Sequence, residues 1–449
     1  MLRRTWIEIR SSLWFVPGLL VFVSIGLALT LVELDVLFVE ELRGQSWQPL
    51  FNAGADGARG MLTAIAGSMI TVAGVAFSIT IVTLSLASTQ YTPRILRNFM
   101  RDRANQAVLG VFVGIFTYCL LVLRTIRGNN GGPDAFVPLL SVFVAVLLAL
   151  LSIGFLIFFV HHIAESIQAS YILEAITRET VTSMETLFPD EIGQEEEEPE
   201  SANLAEKTWH IVPAEKFGYL QSVNSDALLR SAREHDTILR LEHRIGDFVG
   251  QGAPLVSADR LLDSESAAAL RRFFVIANFR TTEQDAGFGI RQIVDIALKA
   301  LSPGINDTST AAACLDHLSV ILSLLAQRRI PSSLREQGGD LRLIAPAPSF
   351  ADYVGKAFDE IRLSARGNVT ILLQMLWAIR RVAAVTDNSE RRSTLLEHAR
   401  LIAESANHSV RAAYDRERIN RELLSVREAL RASLSTLPTL DANSTVVAV

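Results

Sequence analysis

Hydrophobic positions are unevenly spread along this chain, with the long apolar runs crowded before His161 and charged residues rising after it. Four runs, at 13–32, 61–87, 108–123 and 136–160, are made largely of Leu, Val, Ile, Phe and Ala. A hydrocarbon core about 30 Å thick is crossed by roughly 20 apolar residues in a helix. In lipid every backbone N–H and C=O must be paired within its own segment, so these runs predict transmembrane helices. The third is short and the fourth is long enough to tilt or to emerge from the membrane. The basic start, MLRRTWIEIR, resembles a signal peptide. Its apolar run is too long for one and no small-residue cleavage site follows, so it reads as a retained first span.

Beyond 160 the periodicity changes. Ile163, Ile167, Ile172, Ile176, Val181 and Leu187 keep a helical spacing, which predicts a stalk helix over 161–188 that continues the fourth span without a breaker. An acidic linker rich in Glu follows at 189–207. Alternating residues and glycine turns over 208–257 predict a small β module. The remainder, 258–432, reads as helical, with segments at 264–276, through IRQIVDIALKAL (capped by Thr282 or Asp285), through TSTAAACLDHLSVILSLL (capped by Asn306 or Asp307), and three more ending in VRAAYDRERINRELLSVREALRAS. Residues 433–449 read as a loose tail. The expected fold is therefore mainly α: a four-helix transmembrane domain over 1–160, then a cytoplasmic region with a small barrel-sandwich-like β module and an α-helical bundle.

Charge sets the expected orientation. Arg3, Arg4 and Arg10 precede the first span, and Arg94, Arg97, Arg101 and Arg103 lie between the second and third. The loop after the first span carries Glu33, Asp35, Glu40, Glu41 and Asp56 against Arg43 and Arg59. By the positive-inside rule both termini face the cytoplasm of a bacterial inner membrane. The two cysteines, Cys119 and Cys314, are far apart, as expected of a chain whose soluble part stays reduced. The net charge of −6, with no basic patch interleaved with aromatics, gives no footprint for nucleic acid.

The second span differs in composition from the others. Ser68, Thr71, Ser78, Ser85 and Thr89 recur at spacings of three, seven, seven and four, which places them on one helix face. Two readings stay open. Small and hydroxylated residues let helices pack closely in lipid, or the same face lines a water-filled path in a homo-oligomer, where hydroxyls replace part of an ion's hydration shell. Arg94, Arg97, Arg101 and Arg103 then either fix topology against anionic lipid or form a basic collar at the inner mouth. Apart from the lipid bilayer, the partners expected are further copies of the chain and ions. A non-conducting membrane-anchored sensor or scaffold that recruits a cytoplasmic partner is the alternative.

No motif supports an enzyme, a cofactor or a metal: Walker A, G-x-G-x-x-G, G-x-S-x-G, H-E-x-x-H and paired C-x-x-C are missing. His161, His162 and Glu165 share a face at the membrane exit but have no third protein ligand in view and read as interfacial residues. The turn SPGINDTST reads as a capped interhelical turn. The other reading is a small-ligand or cation site assembled from Glu283, Asp285, Asn306 and Asp307, should these meet at one end of two antiparallel helices.

Two stretches, GSMITVAGVAFSITIVTLSLASTQYTPRILRNFMRD and RTTEQDAGFGIRQIVDIALKALSPGIND, resemble the bacterial membrane-protein family labelled domain of unknown function 2254. The resemblance runs from the first span to about the helix after Asp307. Thr308 stands where the family pattern has Pro. The family implies a multi-span membrane protein and supplies no activity. The stretch from Gly218 to Val256 is similar to the barrel-sandwich hybrid of biotinyl and lipoyl domains, but it has no Lys for covalent attachment. A docking, sensing or ring-assembly role is expected of it instead.

Overall fold

A computed structural model describes residues 14–37, 54–90, 102–128, 136–188, 207–337, 340–433 and 435–440. The chain divides into two compact units, Met1–Tyr171 and Ile172–Val449. The expected acidic linker, apart from its last residue, and the end of the tail, 441–449, lie outside the described residues.

Among the described residues four long helices make the first unit: α1 (Phe15–Leu37), α2 (Ala55–Gln90), α3 (Arg103–Thr125) and α4 (Leu139–Ser166). They occupy the four apolar runs and extend past most of their ends. α3 is the central helix, packed by α1, α2 and α4 and burying Val108, Phe112, Ile115, Tyr118 and Val122. Small residues make the closest approach. A Cβ on Gly110 would stand 2.9 Å from the Pro17 Cα, and one on Gly114 would stand 2.6 Å from the Ser24 Oγ of α1. This is the small-x-x-x-small solution for helices in lipid, where contact rests on van der Waals packing rather than on hydrophobic burial.

Polar ties close both ends of the unit. Asp102 caps α3, accepting from Ala104 N at 2.9 Å, and its other oxygen meets His162 Nε2 of α4 at 2.5 Å. At the opposite end Asp35, only 2% exposed, accepts from Leu140 N, Ser141 N and Ser141 Oγ at 2.6–2.9 Å. α4 begins after Pro138, which has no capping side chain, so a carboxylate from α1 satisfies the donors that its own sequence leaves open. Tyr118 Oη donates to the Ser141 carbonyl at 2.8 Å and holds α3 to the same turn.

In the second unit, α5 (Ala169–Leu187) lies with two sheets and eight further helices among the described residues. The backbone breaks between Ser166 and Ala169, so the expected continuous stalk is two helices rather than one. The strands are β1 (His210–Pro213), β2 (Gly218–Val223), β3 (Leu239–Leu241), β4 (Phe248–Val249), β5 (Pro254–Ala258), β6 (Phe274–Ala277), β7 (Leu334–Gln337) and β8 (Asp340–Ile344). They form a five-stranded sheet in the order β1-β5-β3-β8-β7 and a three-stranded sheet in the order β4-β2-β6. All pairings are antiparallel except β3 with β8.

The sheets therefore take in strands well past Val256, and helix α6 (Ser225–Glu234) lies between β2 and β3. That arrangement differs from the expected barrel-sandwich hairpins. Part of the expected helix over 264–276 is a strand: α7 (Ser264–Arg271) stops and Phe274–Ala277 pairs with β2, as its aromatic and β-branched residues favour.

The helical layer holds α8 (Ala286–Ala300), α9 (Thr308–Leu325), α10 (Phe350–Ser364), α11 (Val369–Ala383), α12 (Ser389–Ser409) and α13 (Ala413–Leu430). Its core includes Ile290, Ile293, Leu315, Leu318, Leu322, Leu372, Leu376, Ile379 and Ile402, all under 2% exposed. Arg391 of α12 caps the end of α9, donating to the Leu325 and Arg328 carbonyls at 2.6 and 2.8 Å. The described part of the expected loose tail is tied down: Leu437 and Leu440 are buried, and Leu440 exchanges two hydrogen bonds with Asn420.

Among the described residues five helices are long and apolar enough to cross a membrane, α1 to α4 and α9. α9 carries polar residues tied sideways to other helices of the second unit. Asp316 accepts from Gln374 Nε2 at 2.5 Å, His317 meets Thr177 at 2.8 Å, and Ser319 accepts from Arg381 at 3.0 Å.

Candidate functional site

α2 has two contrasting faces. Ala55, Ala58, Leu62, Ala66, Met69, Ala73 and Ala76 are buried and face the bundle. Ser68, Thr71, Ser78, Ser85 and Thr89 are all exposed on the opposite side. A Cβ added to Gly67 or Gly74 of this side would meet nothing within 4 Å. The packing reading of small residues therefore holds for the alanines of α2, whereas the hydroxyl stripe points out of the bundle.

Ser68, Thr71 and Ser78 donate to the carbonyls of Ala64, Gly67 and Gly74 at 2.8–2.9 Å, and Thr89 donates to Ser85 at 3.1 Å. Each such hydroxyl uses its proton on its own helix and turns lone pairs outward. Of the basic residues expected at the inner mouth, Arg103 is exposed at the first position of α3. Arg94, Arg97 and Arg101 lie outside the described residues.

The four residues weighed as a small-ligand site are not brought together. Asp285 caps the start of α8, while Asn306 and Asp307 follow its end. Fifteen residues of helix, about 22 Å, intervene. Glu283 is exposed. Asp307 caps α9, accepting from Thr310 N at 3.0 Å and Thr310 Oγ1 at 2.6 Å, and Asn306 takes the left-handed turn at φ +50°. SPGINDTST is thus a capped interhelical turn.

Asp285 is the centre of a different cluster. Its Oδ1 accepts from Phe288 N at 3.0 Å as the α8 cap, and its Oδ2 accepts from Arg280 Nε and Nη2 at 3.0 and 2.5 Å. Lys356 Nζ of α10 and Asp285 Oδ1 both flank Gly287. Gly246, at φ +95°, lets the turn after β3 pass directly over the carboxylate, where any Cβ would collide with Asp285 Oδ2. Arg244 of the same turn faces Asp352 at 3.4 Å, and Thr282 is hydrogen-bonded to Glu179 of α5. Burial pushes the Asp285 carboxyl above the usual carboxylate range despite Arg280, and burial likewise holds Lys356 below the usual lysine range. The cluster thereby fastens the β-module turn, the α8 N-terminus and α10 to one another through groups that remain poorly solvated. Sequence reasoning singled out Asp285 as a cap but not Arg280, Lys356 or Gly246. The RTTEQDAGFG stretch was the one signal that pointed there.

Among the described residues, no group of three or more His, Cys, Asp or Glu is placed to hold a metal ion. His161 pairs with Glu165 at 3.2 Å, and His162 pairs with Asp102 instead of joining them.

Residues 10–381 match the family model described as a predicted membrane protein (DUF2254). Uncharacterized proteins of Mycobacterium bovis and of two strains of Mycobacterium tuberculosis are each 32% identical to the chain over 422 residues. The matches cover 91% of this chain and 78% of each relative. No solved structure matches it.

Proposed function

Because this chain belongs to the DUF2254 family of predicted membrane proteins, we propose a reading that begins in the bilayer: a homo-oligomeric ion channel of the bacterial inner membrane, lined by α2. In this reading α1 to α4 are the four spans and both termini are cytoplasmic. α9 stays with the second unit, whose helices α5 and α11 engage its polar residues, and that unit regulates the path.

The observation that carries the proposal is the outward hydroxyl face of α2. Among the described residues its hydroxyl side chains are exposed and a Cβ at Gly67 or Gly74 would meet nothing, while the alanine face opposite carries the bundle contacts. Hydroxyls bonded back to their own helix present only acceptor lone pairs, which suits a wall that replaces part of an ion's hydration shell. The open surface at Gly67 and Gly74 suits close approach by a second copy.

The test is ion flux from liposomes reconstituted with the full-length protein, scanning K⁺, Na⁺ and Cl⁻ under tension, voltage and pH. The double variant Ser78→Leu/Ser85→Leu is the control. Flux that the variant loses is the expected result. Flux unchanged in the variant, or absent from the unmodified protein under every condition, removes the channel reading. A membrane-anchored scaffold whose second unit recruits a partner is then the reading left.

A further inference from the structure

Gly110 and Gly114 bring α3 against α1 near one end of the bundle. Further along the same two helices the contact gives way to a cavity of about 660 Å³, bounded by Ala28, Val32 and Val36 of α1, Leu121 of α3, and Phe136. That volume lies in the range of built small-molecule sites, about 300–1,000 Å³. Leu29 and Val36 in its wall are 56% and 58% exposed, so the slot is continuous with the apolar outer surface of the bundle and is not sealed. Its wall is polar only at the rim, where Arg124, Thr125 and Arg127 stand.

The backbone of Arg127 pairs with Phe136, but among the described residues the bonds that close this end of the bundle use neither rim arginine's side chain. Arg59 Nη2 donates to the Ile126 carbonyl at 3.2 Å and takes up the negative end of α3. Asp35, the buried carboxylate of that end, is engaged by the α4 N-terminus. Arg124 and Arg127 are exposed and have no carboxylate partner among the described residues. Snorkelling toward water explains two exposed arginines at the end of a span. It does not explain an apolar slot directly beneath them.

The geometry points to a binding site for an anionic phospholipid, with an acyl chain in the slot between α1 and α3 and the phosphate held by Arg124 and Arg127. Planar guanidinium forks match phosphate oxygens two at a time, and a charge at the bilayer surface strengthens the contact. The slot supplies the apolar contact that a free anion would not use. This inference is independent of the channel reading, because the site lies on α1 and α3 and uses no residue of the hydroxyl face.

Native mass spectrometry of the full-length protein in detergent, titrated with phosphatidylglycerol or phosphatidylcholine, tests it. The expected result is a retained phosphatidylglycerol adduct, with phosphatidylcholine bound more weakly. Arg124→Gln/Arg127→Gln should lower the phosphatidylglycerol affinity by roughly tenfold or more, and Arg124→Lys/Arg127→Lys should restore part of it. Leu29→Trp, on the exposed edge of the slot, should weaken binding with both arginines intact. Circular dichroism and gel filtration establish that each variant keeps its fold. Equal retention of the two lipids, or equal phosphatidylglycerol retention by the Gln variant, overturns the site. Displacement of the lipid by inorganic phosphate, or no effect of Leu29→Trp, overturns the assignment to a lipid, because a free anion needs only the rim.

Discussion

Replacing Asp285 by Ala should open the second unit far more often than any surface substitution, and the size of the effect follows from its contacts. The side chain is 7% exposed and caps α8 through Phe288 N. Losing such a cap costs about 1 kcal/mol. The substitution also removes the carboxylate that Arg280 bonds and that Lys356 faces, and removing one partner of a buried ion pair costs about 3–5 kcal/mol. A quarter of the Arg280 side chain still reaches solvent, so the low end, about 3 kcal/mol, applies. The total is about 4 kcal/mol, a large share of the ~5–15 kcal/mol that holds a typical domain folded.

Cys314 reports this directly. It is fully buried in α9, and burial pushes its thiol well above the usual range, so it reacts only when the unit opens. In the regime where closing outpaces labelling, about 4 kcal/mol corresponds to a ~1,000-fold faster alkylation in native buffer. The peptide mass separates Cys314 from Cys119. Asp285→Asn keeps a capping side chain and removes only the charge, so it should label about 100-fold faster than the unmodified protein. Adding Lys356→Met to Asp285→Asn should recover part of that loss by removing a buried cation that has lost the Asp285 charge. Labelling of Asp285→Asn within threefold of the unmodified protein would refute the ion-pair argument. Equal rates for the Asn and Ala variants would refute the cap.

Two further outcomes follow from the packing. Gly110→Val drives a side chain into the backbone of α1 at Pro17 and should lower the stability of the bundle by about 1–3 kcal/mol, read as a lower aggregation temperature in detergent. Gly74→Leu meets open space and should leave that temperature unchanged, with any effect confined to oligomer mass by light scattering. Equal effects of the two would contradict the described α1–α3 contact. His317, hydrogen-bonded to Thr177, is held by burial below the usual histidine range. Its folded pKa is lower than the unfolded value of about 6.5, so the unfolded chain takes the proton first as pH falls. The stability it contributes is complete above about pH 6.5 and declines below it, by up to about 1.4 kcal/mol per unit until the folded pKa is reached. The urea midpoint of His317→Gln should therefore fall less between pH 7 and 5 than that of the unmodified protein, and parallel falls would contradict the assignment.

Much of the second unit was legible where structure is local. Asp285 and Asp307 cap the helices that their spacing implied, because a cap needs only the next three residues. The β6 strand is not legible in the sequence because Phe274–Ala277 has no period of its own and is fixed by pairing with β2, some fifty residues earlier. α10 is legible in the sequence through the capping box that Ser349 and Asp352 form at its start. The Asp285 cluster was the least legible. Gly246, Arg280 and Lys356 come from three separate segments, and one sequence carries no sign that they converge.

In the bundle, periodicity places the hydroxyls of α2 on one face but does not say whether that face turns inward. Contact between helices in lipid rests on close packing, and an inward serine whose hydroxyl already bonds to its own helix adds bulk to the interface without adding a partner. Alanine adds neither bulk nor polarity, so the alanines turn in, toward α3. The same logic makes α1–α3 readable in the sequence: Gly110 and Gly114 are a G-x-x-x-G pair within an apolar run, a stronger packing signal than the serines and threonines of α2. Once glycines and alanines account for the contacts inside one chain, the hydroxyl face of α2 is surplus to them. Its own hydrogen bonds make it inexpensive to leave against lipid, so stability alone does not require a second copy there. What stability does not supply is a reason for five hydroxyls on one line where leucine would serve the bilayer better, and that difference is what the flux measurement on Ser78→Leu/Ser85→Leu addresses.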